Sequence, residues 1–103
     1  MLDLPERQLK MVCDILQEIV PDREVRSFGS RVKGTAKSYS DLDLVVMGDG
    51  ELPVRTMNRL VESFQESELA IRVDVLDWST ISPAFQQVIG KKYVVVKQKN
   101  PSP

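Results

Sequence analysis

Between Pro5 and about Val20 the apolar positions Leu9, Val12, Leu16, Ile19 and Val20 follow the three-and-four spacing of one buried helix stripe. Pro5 suits a first helical turn and Pro21 ends the helix. Cys13 lies beside the stripe and reads as a small core hydrophobe. Glu24 to Phe28 predicts a short strand that runs into Gly29-Ser30, with one or two helical turns from Ser30 to about Thr35. From Asp41 to Met47 the chain alternates as a strand does. Asp41, Asp43, Val45 and Met47 face one way, and Leu42, Leu44 and Val46 the other. Gly48-Asp49-Gly50 then turns the chain.

A second long helix is predicted from Pro53 to about Ser67, with Val54, Met57, Leu60, Val61 and Phe64 on one face. The acids Glu62, Glu66 and Glu68 read as a solvated surface. Leu69 to Leu76 predicts a third strand: Leu69, Ile71, Val73 and Val75 point to one side, Arg72 and Asp74 to the other. Ser82-Pro83 has the form of an N-cap and first position of a short helix reaching about Ile89, which Gly90 would stop. Tyr93 to Val96 is an apolar run that fits a short strand or a partner contact. With Trp78 and Phe85 it either closes the core or forms a partner or dimer surface. Asn100 to Pro103 is expected to be a loose tail.

The order of elements points to an α+β, two-layer fold: a small mixed β-sheet with helices packed on one face and the carboxylates on the other. The 103 residues fit one domain, expected over residues 1–98, with 99–103 as tail. A formal net charge of -1 disfavours an extended nucleic-acid surface. A lone cysteine excludes an internal disulfide and fits a reducing cytoplasm. No stretch approaches a membrane span, and the polar N-terminal residues lack a signal-peptide core. The absence of histidine removes His-based zinc sites, Ser-His-Asp triads and histidine general bases together.

What chemistry remains is carried by acids. Residues i and i+2 of a strand share a face, so Asp41 and Asp43 sit side by side. Two such anions in a partly buried place repel unless a cation lies between them, and hard oxygen ligands suit Mg²⁺ or Mn²⁺. Asp74 breaks the apolar run of the third strand; it is either a third ligand or the partner of Arg72. Asp77, at the strand end on the other face, is the alternative acid. Gly29-Ser30-Arg31 follows a strand and precedes a helical turn, a setting that favours phosphate: a glycine for close approach, free N–H groups, a hydroxyl and a guanidinium. Arg31 is therefore a candidate phosphate ligand, or else a residue that orients an aspartate by a salt bridge.

The segment from Gly29-Ser30, through the ten residues Arg31 to Ser40, to Asp41-Leu42-Asp43 resembles the signature of minimal nucleotidyltransferase (MNT) domains of the DNA polymerase β-like nucleotidyltransferase superfamily. Asp74 matches that family's third carboxylate, and the likeness extends from Glu24 to about Trp78. The resemblance implies a nucleotidyltransferase fold and Mg²⁺-dependent transfer of a nucleoside monophosphate from an NTP to a hydroxyl, with release of pyrophosphate. It assigns Asp41, Asp43 and Asp74 to two metal ions (Mn²⁺ as a substitute), and Gly29 and Ser30, with Arg31, to the phosphates. Members of this size typically pair with a helical HEPN-domain ribonuclease as antitoxins and can adenylylate its tyrosine. That implies ATP as donor and a hetero-oligomeric complex. Two alternatives stand beside it: an antitoxin that neutralises by contact alone, and a small-molecule nucleotidyltransferase.

Overall fold

The structure is a computed structural model that describes residues 1–101. Its elements run α1 (Glu6–Ile19), β1 (Val25–Phe28), α2 (Ser30–Lys33), β2 (Leu42–Val46), α3 (Val54–Glu66), β3 (Val73–Asp77), a 3-10 turn (Trp78–Thr80), α4 (Pro83–Lys91) and β4 (Val94–Lys97). The four strands form one mixed sheet in the order β3-β2-β1-β4. β1 runs antiparallel to β2 and to β4. β2 and β3 are parallel, as their connection through α3 requires.

The helix stripes read from the sequence do their expected work. Val12, Leu16 and Ile19 of α1 and Leu60 and Phe64 of α3 pack on Val25, Leu42, Leu44 and Val46 of the sheet. Truncating a side chain as enclosed as Leu60 to alanine costs about 2–5 kcal/mol. Val54 departs from its expected place. It sits in the first turn of α3 and is exposed, and Val61 on the same expected face is exposed as well. Cys13 is half-buried, with its thiol 3.6 Å from the Val96 carbonyl, and ties α1 to β4.

Two boundaries differ from the sequence expectation, and one open alternative is settled. β3 starts at Val73 instead of Leu69, because ladder pairing begins only where β2 begins, at Leu42 opposite Val73. Gly90 does not stop α4. It has no positive φ, and the helix continues to Lys91 before Lys92 turns extended. The apolar run after Tyr93 is a strand, β4, closing the β1 edge. At its end the buried Lys97 ammonium donates to the carbonyls of Pro21, Arg23 and Gln98. The Asn100 N–H donates to the Pro21 carbonyl, while residues 102–103 of the expected tail lie outside the described residues.

The helices are also divided between faces. α1 and α3 cover one side. On the other, Phe85 of α4 meets Phe28 edge-on, with ring centroids 5.7 Å apart. Phe28 is the cross-strand partner of Asp43, and such partners share a face. α4 therefore shelters part of the carboxylate face, which leaves Asp41, Asp43 and Asp74 partly exposed beside it.

Candidate active site

β2 supplies the first two acids. Asp41 stands immediately before the strand and Asp43 is its second residue, so both point to the face away from α1 and α3. Parallel pairing with β3 then sets Asp74 directly opposite Asp43. Burial, with the anions of Asp74 and Asp41 beside it, pushes the Asp43 carboxyl above its ordinary value. Two neighbouring acids of β2 and a third that is distant in the chain thus share one electrostatic neighbourhood.

Asp74 is steadied by Arg72, whose guanidinium lies 3.0 Å from Oδ1, so the reading of Asp74 as the partner of Arg72 holds. It faces Asp43 and it pairs with Arg72. The carboxylates are not drawn into a closed cage: no group of three or more acid, His or Cys side chains has a ready metal-ligand arrangement among the described residues. Mutual repulsion is reason enough for three anions to stand apart.

Gly29 joins β1 to α2 and closes the site from the side. Its φ of 85° lies in the left-handed region, and a Cβ there would collide with Oδ2 of Asp43. Only glycine lets the turn pass this close to the acid. Ser30 opens α2, a single turn whose first N–H groups have no acceptor within the helix. Lys33 and Lys37 are exposed on the following segment. Ser27, fully buried in β1, donates its hydroxyl to the Asp43 carbonyl at 2.9 Å and fixes β2 where it carries the acid. The sequence reading passed over Ser27, although a serine on the same strand face as Val25 was a visible signal.

Arg31 corrects an expectation. It bridges no aspartate among the described residues, and its guanidinium is spent on backbone. The side chain is buried and donates to four carbonyls, those of Asp3, Lys37, Ser38 and Ser40, at 2.8–3.3 Å. It clamps the loop that delivers Asp41 and ties it to the N-terminal segment. The Lys37 N–H also donates to the Ser40 hydroxyl, tightening the same turn.

Asp77 has a different occupation. Its Oδ2 accepts from the Leu52 N–H at 2.7 Å, and its Oδ1 accepts from the N–H and hydroxyl of Ser79. Burial alone would raise this carboxyl. The Leu52 and Ser79 donors, helped by the Arg23 charge, outweigh it and hold Asp77 below its ordinary value. It is a structural cap, not the site acid.

The family model of the nucleotidyltransferase domain matches residues 9–97. The chain belongs to the nucleotidyltransferase domain family. It is 50% identical over 98 residues to a "probable protein adenylyltransferase MntA" of Haemophilus influenzae, covering 95% of this chain and 86% of that protein. It is 32% identical over 81 residues to the protein adenylyltransferase MntA of Thermococcus cleftensis, covering 79% and 81%. Among solved structures, a toxin–antitoxin crystallised with AMP-PNP superposes with a TM-score of 0.72 at 22% identity, over 86% of this chain and 72% of that one. A chain solved as a candidate minimal nucleotidyltransferase gives 0.64 at 26% identity, over 85% and 88%. The mixed sheet and its helices are thus the minimal nucleotidyltransferase fold, and the chain is an enzyme of the nucleotidyltransferase class. No helix is long and apolar enough to cross a membrane among the described residues.

Proposed function

We propose that this chain transfers AMP from ATP to a tyrosine hydroxyl of a HEPN-domain ribonuclease partner, and so acts as its antitoxin in the cytoplasm. The observation that carries the reading is the register of β2 and β3, which sets Asp74 opposite Asp43 beside the Gly29 turn. The relatives' names as protein adenylyltransferases support a protein acceptor, and the AMP-PNP in the toxin–antitoxin structure supports an adenine nucleotide.

The acid cluster fits a hard divalent cation. Burial, together with the anions of Asp74 and Asp41, holds Asp43 above its ordinary value; a cation would offset the like-charge part of that cost, and all three donors are carboxylate oxygens. Asp41, Asp43 and Asp74 would hold Mg²⁺ or Mn²⁺. Bound there, such a cation neutralises triphosphate charge and eases ionisation of the acceptor hydroxyl. The chain's own groups do the positioning. The Gly29-Ser30 turn offers N–H groups and a hydroxyl to the β- and γ-phosphates, and Lys33 and Lys37 add positive charge nearby. Arg31 holds that loop in shape from behind.

In the reaction the acceptor oxygen forms a bond to the α-phosphorus. The bond from that phosphorus to the bridging oxygen breaks, and pyrophosphate leaves with the electron pair. Asp74 Oδ2 takes the acceptor's proton and passes it to water, since Oδ1 is engaged by Arg72. Most of the rate gain then comes from alignment and charge neutralisation.

The test incubates the chain with Mg²⁺, the co-encoded HEPN-domain protein and each of labelled ATP, CTP, GTP and UTP. The expected result is label on the partner from ATP, lost in Asp41→Asn/Asp43→Asn. A double variant that still neutralises the partner's ribonuclease as well as wild type would replace catalysis by contact.

A further inference from the structure

β3 lies at the end of the sheet. β2 pairs with one of its edges, and among the described residues no strand pairs with the other. An open edge offers N–H and C=O groups to any extended chain. Beside this edge, between β3 and α3, lies a groove of about 500 Å³. Val61, Phe64, Leu69 and Ile71 form its apolar wall, and Arg72 and Asp74 stand at its mouth. Val61 is 38% exposed and the Arg72 side chain 75% exposed, so both are open to a partner.

We infer that the acceptor protein docks here by strand addition, laying an extended, acid-bearing segment along β3 with its reactive hydroxyl beside Asp74. This rests on the transfer reading above. The alternation of a strand fixes what the segment must carry. A residue opposite Asp74 points to the carboxylate face, and its two neighbours point to the apolar wall of α3. Arg72, the residue before β3, pairs with Asp74 while its side chain stays 75% exposed, so the segment residue two places from the hydroxyl comes beside a guanidinium still open to a second carboxylate. An acidic side chain complements it.

The segment therefore reads acid, apolar, hydroxyl, apolar. A serine hydroxyl set opposite Asp74 ends near that acid. The tyrosine of the transfer reading, set opposite Asp74, carries its hydroxyl over the carboxylate face that Asp74 shares with Asp43.

The test uses the full chain, Mg²⁺, labelled ATP and the HEPN-domain partner. Val61→Arg and, separately, Gln65→Arg place a guanidinium on the groove wall from exposed positions of α3, and an unchanged Tm confirms that each variant folds. The expected result is at least a tenfold rise in KM for the partner, with kcat at saturation and affinity for AMP-PNP held. An unchanged KM overturns the docking site and leaves the transfer reading intact. If wild type transfers no label, the transfer reading fails on its own, and docking is read by calorimetric titration of the same partner. Binding lost in both variants supports the groove; binding kept in both, or absent from wild type, overturns it.

Discussion

Asp43 and Asp77 lie on neighbouring parallel strands, both partly withdrawn from water, and burial leaves them in opposite states. Asp77 is met by the Leu52 N–H, the Ser79 N–H and the Ser79 hydroxyl, and is held in its charged form. Asp43 is met by Asp74 and Asp41, and its charged form is disfavoured. One carboxylate is complete within the chain. The other has burial and like charges around it, and the proposed cation would complete it. Burial alone does not mark a functional acid; burial without donors, beside other acids, does.

The largest way to sharpen that contrast is Asp43→Asn. AMP transfer should fall by roughly two to three orders of magnitude, as for other lost charge-stabilising groups, with the fold intact by circular dichroism. Equal activity would place the chemistry elsewhere. Arg31→Lys comes next. Lysine cannot fork to four carbonyls, so unfolding free energy should drop by about 2–3 kcal/mol in urea titrations, with a weaker affinity for ATP as the Asp41 loop loosens.

Asp77→Asn follows, with a loss of about 1–3 kcal/mol at neutral pH and little change in kcat. Because folding lowers the Asp77 value, its contribution is present above the unfolded carboxylate range and lost as pH falls through the folded value. The gap between wild type and variant should therefore close in acid. The smallest effect has the opposite sign. Folding raises Asp43, so the cost of its charge is absent below the unfolded value and fully present above the folded one. Asp43→Asn should raise Tm slightly at pH 7 without metal, and the gain should vanish as pH falls into the carboxylate range.

Much of this was legible in the chain itself. The α1 stripe and the period-two pattern around Leu42, Leu44 and Val46 report burial directly, and β2 and β3 were placed with their acids outward. The Gly29-Ser30 and Asp41-Leu42-Asp43 spacing survives as adjacency around the Gly29 turn. Side-chain direction did not carry over for Arg31. Spacing places its Cα beside the turn, and only packing shows that α2 rolls the guanidinium inward against the Lys37–Ser40 loop. The run Val94–Val96 had no alternation to read, so its pairing with β1 needed the assembled sheet. The cap formed by Asp77 was written in Asp77-Trp78-Ser79, but its bond to Leu52 spans the whole of α3.

The most direct measurement is a ¹³C NMR titration of the aspartate carboxyls, with and without Mg²⁺ and AMP-PNP. Without them, Asp43 should titrate above its ordinary value and Asp77 below. With them, Asp43 should drop sharply while Asp77 stays where it was. An Asp43 that titrates as an ordinary surface acid, or that ignores the cation and nucleotide, would contradict the site.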